Sequence, residues 1–301
     1  VRTSPTNGRW KIGLTELRRL DIGIASYGAS AKLHRTLTSI QQQSVTDFRC
    51  FIFDNPGPDP ATRELAAGFA ASDKRFELVP LDVNVGYAGA VNALLQRAET
   101  EYIAYCDNDI EILTHAWDEA MCSYLDRFHE IGLIFPNGGA YPIDRGNYQE
   151  VMWGVGFCWV LNRLVLTEAG QLDTALGHQE EADYCLRVRM AGWKCAATPH
   201  VRVSHDATAT SDPAAIERIN RGVVNWVDKW NRYFNGKNFN YHSPNVTRWE
   251  DWPPNALYLE EYWKLRRPDL NANPEVITLE GRDYDLIRVP RFKDFYRGRI
   301  I

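Results

Sequence analysis

The sequence predicts a layered α/β fold. Short apolar strand candidates alternate with helical spacings through the first hundred residues, and the strands end in turns rich in Gly, Pro, Asp or Asn. The same alternation places several carboxylates after strands, so Asp54, the Gly86 turn and the triplet Asp107-Asn108-Asp109 fall on one rim, where such folds bind ligands.

Arg19–Tyr27 reads as a strand closing in a glycine-containing turn, and Lys32–Gln42 has helical spacing. Phe48–Phe53 is the second strand, ended by Asp54-Asn55-Pro56-Gly57-Pro58, which cannot continue a regular element. A helix over Thr62–Ala70, a strand over Phe76–Pro80, a helix over Ala88–Gln96 and a strand over Tyr102–Cys106 complete the series. Gly154–Leu166 is a second apolar section around Trp159. A helix over Ala182–Ala191 stops at Gly192, and Val201–His205 reads as a late strand delivering His205 to a loop. Ile216–Phe234 has amphipathic spacing, and beyond Tyr241 prolines and tryptophans interrupt periodicity. The expected organisation is a lead segment at 1–18, one nucleotide-binding domain at 19–240, and an irregular extension at 241–301 packing on or beside it.

Bulk properties narrow the function. With 301 residues, 45% of them hydrophobic, the chain can bury a large core. A formal net charge of -5 supplies no global basic field, which disfavours a nucleic-acid acceptor. No apolar run reaches the roughly 20 residues of a membrane-spanning helix, and the first residues lack the basic-then-apolar order of a signal peptide. The expected location is cytoplasmic, including the periphery of a membrane. The chain starts at Val1 rather than Met, which leaves room for a preceding segment. Six scattered cysteines, without paired spacing, point to buried thiols in a reducing compartment. The first turn lacks GxGxxG and no GxxxxGK[ST] loop occurs, so dehydrogenase and P-loop ATPase readings lose weight.

The chemistry centres on carboxylates. Asp107 and Asp109 stand two apart after a strand, and hard oxygen ligands suit Mg²⁺ or Mn²⁺, which would neutralise a departing diphosphate. In isolation such a triplet is weak evidence and reads first as a helix cap or solvated turn; its place in this α/β order favours the metal. His205 offers a nitrogen ligand, or alternatively organises Ser204 and Asp206. Glu180, Glu181 and Asp183 open a helix, where the dipole favours them as caps. A carboxylate held apart from the metal also suits a base that removes a hydroxyl proton. His178 is a weaker candidate, suited to orienting this loop or meeting an acceptor.

In order, Ala25-Ser26-Tyr27, Asp54-Asn55 with Asp59, Asn84-Val85-Gly86-Tyr87-Ala88-Gly89-Ala90 with Asn92, Asp107-Asn108-Asp109, and Glu180-Glu181-Ala182-Asp183-Tyr184-Cys185-Leu186-Arg187 resemble the inverting glycosyltransferase family two. The similarity runs from about residue 20 to 206, more weakly to Lys229-Trp230. The resemblance implies a GT-A fold with a mixed central sheet and flanking helices. It implies that Ala25, Tyr27 and Asp54 cradle the nucleoside, Asp54 contacting the base, while Asn84 and Gly86 form the wall beside nucleotide and sugar. Asp107 and Asp109 match the Asp-x-Asp motif, Asp109 as direct metal ligand and Asp107 near the ribose or sugar as well as the ion; His205 assists. Asn108 and Arg187 join the donor-binding positions, with a solvated helix flank the equal alternative for Arg187 and Arg189. Glu181 stands where the family commonly has aspartate and is the implied base, with Asp183 as alternative.

The implied reaction is inverting transfer of a sugar from a nucleoside-diphosphate sugar to a hydroxyl of a glycan or glycoconjugate, with Mn²⁺ or Mg²⁺. The rivals are a sugar-nucleotide nucleotidyltransferase and a noncatalytic carbohydrate-binding protein. Tyr87, Trp153 and Trp159 are candidates for stacking on a sugar or base, core packing being the default for Trp159. Trp226, Trp230, Trp249 and Trp252 suit a saccharide surface, a cover for the core, or a homo-oligomer interface.

Overall fold

The computed structural model describes residues 20–140 and 142–206, helical positions between 217 and 230, and two short strands, Ile277–Leu279 and Arg282–Tyr284. The expected lead segment at 1–18 lies outside the described residues, as do Trp249, Trp252 and all of 241–301 except those two strands.

The first half is a parallel unit. Strands β1 (Leu20–Ser26), β2 (Phe48–Asp54), β3 (Phe76–Pro80) and β4 (Tyr102–Asp107) are joined through helices α1 (Ser30–Gln43), α2 (Ala61–Ser72) and α3 (Gly86–Arg97). They lie in the order β3-β2-β1-β4. Every residue of β1 is buried, as expected of a strand covered on both faces. These elements match the sequence reading to within two residues at each end. The largest differences are at helix ends, where turn geometry rather than periodicity sets the boundary. At α3 the side chain of Asn84 accepts the Gly86 N–H at 2.9 Å and Gly86 takes a φ of 68°, so the helix opens before its first buried alanine.

The second half follows as β5 (Ile110–Ile112), α4 (Trp117–Arg127), β6 (Ile131–Pro136), β7 (Gly139–Ala140), β8 (Ile143–Asp144), β9 (Gln149–Val151), β10 (Trp153–Gly154), β11 (Cys158–Asn162), α5 (Leu164–Ala169), α6 (Glu180–Met190), β12 (Lys194–Thr198) and β13 (Val203–His205). The apolar section around Trp159 resolves into β10, β11 and the start of α5. Strand β11 runs antiparallel to both β4 and β6, while β12 is parallel to β6. A nine-stranded mixed sheet results, ordered β3-β2-β1-β4-β11-β6-β12-β9-β8. Helix α4 and strands β6 and β12 were not expected from the sequence. The α4 segment mixes acidic and aromatic residues, and β12 (KCAAT) lacks the branched residues that mark strands.

Two apolar clusters sandwich the sheet. Leu33, Leu37, Ile40, Trp117 and Met121 from α1 and α4 pack on one side, and Val91, Leu94, Ala182 and Leu186 from α3 and α6 on the other. Trp226 and Trp230 are buried in the second cluster, so these two tryptophans cover the core rather than present a saccharide surface. All six cysteines are free and buried. Chain connectivity reverses between β1 and β4: the chain leaves β1 toward β2 and β3 and returns to β4 on the other side. Their carboxyl ends therefore diverge into a crevice, the place where open α/β sheets bind ligands.

Candidate active site

The crevice brings the acidic triplet and the late histidine together. Asp107 ends β4, and its N–H donates to the Phe157 carbonyl at 2.7 Å. The turn through Asp109 leads into β5, which pairs antiparallel with β13 so that His205 lies opposite Ile110. The Asp206 N–H donates to the Asp109 carbonyl at 3.0 Å, locking that register. His205 Nε2 consequently sits 3.2 Å from Asp109 Oδ1 and 3.8 Å from Asp107 Oδ2. Its ring stacks on Phe157 at 4.7 Å between centroids.

Asp107, Asp109 and His205 each offer a ligand atom, all within 4.8 Å of one another. Burial and the neighbouring Asp109 charge push the Asp107 carboxyl up to about 7. A hydrogen bond from His205 to Asp109 raises the histidine above its usual value. Two carboxylates forced together beside an imidazole fit a divalent cation, whose charge would relieve their repulsion. The mixed oxygen and nitrogen set suits Mn²⁺ better than the strictly oxygen-seeking Mg²⁺. Lys32 of α1 lies 3.9 Å from Asp109 Oδ2 and 3.5 Å from Asp206 Oδ2. No motif in the sequence marked this lysine.

The expected nucleotide positions line the same rim. Ala25 of β1 stands in register with Phe53 and Asp107. Tyr27 is half exposed, and the Asn108 amide donates to the carbonyls of Tyr27 at 3.2 Å and Gly28 at 3.3 Å, tying the first turn to the acidic one. Asp54 is buried at the end of β2 and accepts from Arg63 Nε at 2.5 Å. Asn55 accepts the Val85 N–H at 2.8 Å, which joins the Asp54 turn to the segment bearing Asn84 and Gly86.

Glu181 approaches from the other half of the sheet, in the first turn of α6. A methyl group on Gly156 would lie 3.2 Å from the Glu181 side chain and 3.1 Å from Tyr87 Oη, so the chain passes closely between them. Tyr87 donates to the Gly156 carbonyl at 3.3 Å and accepts from Trp159 Nε1 at 3.3 Å. Trp159 itself is buried and stacked on Tyr105, while Trp153 meets Trp226 edge-on. The Gly156-Phe157 strap thus has Glu181 against one residue and Asp107 with His205 against the next. Burial raises the Glu181 carboxyl above the ordinary range. Sequence reasoning had no signal for Gly156 or Phe157, because their importance lies in what the fold carries past them.

Asp183 and Arg187 occupy a different place from the one expected. Residues two apart on a helix are about 200° apart around its axis, so Asp183 faces away from Glu181. Its fully buried carboxylate accepts from Arg187 Nε at 2.9 Å and Trp230 Nε1 at 3.1 Å and lies 2.8 Å from Lys229 Nζ. Arg187 also donates to the Ala169 carbonyl at 2.6 Å, and buried Arg189 pairs with Glu150 at 3.2 Å. Neither arginine is a donor clamp at the rim or a solvated flank; both neutralise buried carboxylates. His178 contacts the Gln179 amide at 3.2 Å and stands outside the ligand cluster.

Glu180 carries a stability cost of its own. Burial pushes its carboxyl up to about 7, and the charges of Glu181, Asp183 and Asp173 add to the shift. Below about 4.5 folded and unfolded chains both hold the proton; above it the unfolded state ionises first, and stability falls until about pH 7. Glu180→Gln should therefore stabilise the fold by roughly 1–3 kcal/mol at pH 8 and by little at pH 4.5, since each pKa unit is worth ~1.4 kcal/mol. Urea unfolding at both pH values reads this, and equal gains at both would contradict it.

Fold and site define a GT-A protein with a candidate divalent-metal centre, and comparison with known proteins agrees. Residues 21–166 match the model for glycosyl transferase family 2. An 84-residue stretch is 33% identical to the putative teichuronic acid biosynthesis glycosyltransferase TuaG of Bacillus subtilis, covering 28% of this chain and 33% of that protein. The chain thus spans about a third of that relative's length. Among solved structures, the mannosyltransferase PcManGT of Pyrobaculum calidifontis, in complex with GDP-Man and Mn²⁺, superposes with a TM-score of 0.59 at 15% identity, over 87% of this chain and 74% of that one. GalNAc-T7 with UDP, GalNAc and Mn²⁺ superposes at 0.57 and 14% identity, over 85% and 58%. Residues 21–166 are thus similar to glycosyl transferase family 2, and the fold is that of the GT-A structures it superposes on. The family match ends before Glu181 and His205, whose places rest on the geometry above.

Proposed function

We propose that this protein transfers a sugar, with inversion, from a nucleoside-diphosphate sugar to a hydroxyl of a glycan or glycoconjugate. The observation that carries the proposal is one crevice flanked by a three-ligand cluster and, across the Gly156-Phe157 strap, by a half-buried carboxylate of raised basicity. Mn²⁺- and nucleotide-bound relatives of the same fold support it.

Ala25, Tyr27 and Asp54 receive the nucleoside at the ends of β1 and β2, with Asn84, Gly86 and Asn108 shaping the turns around it. Asp107, Asp109 and His205 would hold Mn²⁺ or Mg²⁺, which when bound supplies Lewis-acid neutralisation of the leaving diphosphate. Glu181 accepts the proton of the acceptor hydroxyl as that oxygen attacks the anomeric carbon from the face opposite the diphosphate. Separation of Glu181 from the ligand cluster preserves its proton affinity. Single displacement inverts the anomeric centre.

A panel of UDP-, GDP- and dTDP-sugars with Mn²⁺ and mixed acceptors tests the proposal. Nucleoside diphosphate release should be metal-dependent and matched by a gain in acceptor mass, with the linkage inverted by NMR. Release without acceptor gain would identify a hydrolase and sink the transfer assignment.

A further inference from the structure

Lys229 lies more than twenty residues beyond the last ligand-cluster residue, yet it joins two parts of the segment that presents Glu181. Its ammonium is 2.7 Å from Asp173 Oδ2 and 2.8 Å from Asp183 Oδ1, and only 16% of the side chain is exposed. Asp173 precedes and Asp183 follows a stretch containing two left-handed residues, Gly177 with φ 74° and Gln179 with φ 67°. The second is costly for a residue with a side chain and persists only where surrounding contacts dictate it. Asn225 adds a donor to the Leu176 carbonyl at 3.1 Å, and Trp230 adds one to Asp183. Burial would push the Asp173 carboxyl up, but the Lys229 ammonium brings it below its usual value.

We propose that Lys229 is a positioning residue for Glu181: bridging Asp173 and Asp183, it clamps the loop entering α6 to the back of that helix and so aims Glu181 at the crevice. The proposal rests on the assignment of Glu181 as the base. Asp183 faces away from Glu181 on the helix, so the clamp acts through backbone placement rather than by touching substrate. A base displaced by about an ångström costs on the order of a hundredfold in rate.

The test compares Lys229→Met, Lys229→Arg, Asp173→Asn and Glu181→Gln with the unaltered chain. The readouts are kcat and KM on the panel of UDP-, GDP- and dTDP-sugars with Mn²⁺, UDP and GDP binding by calorimetry, and thermal unfolding. Lys229→Met should lower kcat by roughly 10- to 100-fold while donor KM and nucleotide binding stay within about twofold. Lys229→Arg should recover most of the rate. Retained kcat in Lys229→Met, or a parallel loss of nucleotide binding, would overturn the positioning role. If Lys229→Met does not fold, Asp173→Asn decides, because it removes one arm of the bridge at a partly exposed site: a kcat loss at unchanged KM supports the clamp and an unchanged kcat refutes it. Full activity in Glu181→Gln, or no turnover by the unaltered chain on any donor, would instead overturn the base assignment, and the clamp with it.

Discussion

Asp109→Ala should lower kcat by about a thousandfold or more at saturating donor, equivalent to roughly 4 kcal/mol of transition-state stabilisation. Asp109 is the nearer of the two aspartates to His205, its carboxylate is partly open to the crevice, and its carbonyl, not its side chain, holds Asp206. The backbone framework of the turn therefore survives the exchange. The variant should fold normally, and with Asp109 gone the Asp107 carboxyl should titrate lower because its like-charged neighbour is missing. Diphosphate release measured against Mn²⁺ concentration, together with a melting curve, separates loss of chemistry from loss of fold. Turnover equal to that of the parent at saturating donor would remove Asp109 from the ligand set.

Glu181→Gln should cost about 10²- to 10⁴-fold in kcat, the range expected when a positioned general base is removed, while leaving nucleotide binding intact. The pH dependence supplies the sharper signature. A protonated carboxyl cannot take the acceptor's proton, so the parent's rate should rise with pH through the titration of Glu181 and then level off. Burial places that limb above the ordinary carboxylate range. Glutamine has no such limb, so its residual rate should not show the same rise. An acid limb that persists unchanged in the variant would assign the base elsewhere.

Residues 20–107 were legible almost to the residue, because each strand there is a continuous apolar run closed by breakers and each helix has a clear period. The second half was less so. Strands β7 to β10 are two or three residues long, β12 is built from small residues, and the antiparallel insertion of β11 between β4 and β6 has no local cue. At the site, the acidic triplet was marked by its place after a strand. Lys32, Gly156, Phe157 and Lys229 act through contacts with residues far away along the chain, which no local pattern encodes.

By itself the sequence determined that the chain is α/β, that its carboxylates gather at the strand ends, and that its motifs run in the order of a sugar-transferring family. The first two follow from local periodicity and turn chemistry, which a chain carries whatever its neighbours do, and the third is a resemblance of motifs. Only the tertiary structure separated Glu181 from Asp183, turning one toward the strap and enclosing the other with Lys229 and Arg187. That choice depends on which face of α6 meets the sheet crevice and which meets the segment around residue 229. Long-range packing decides it, because a helix of charged residues is compatible with either orientation until its partners are in place.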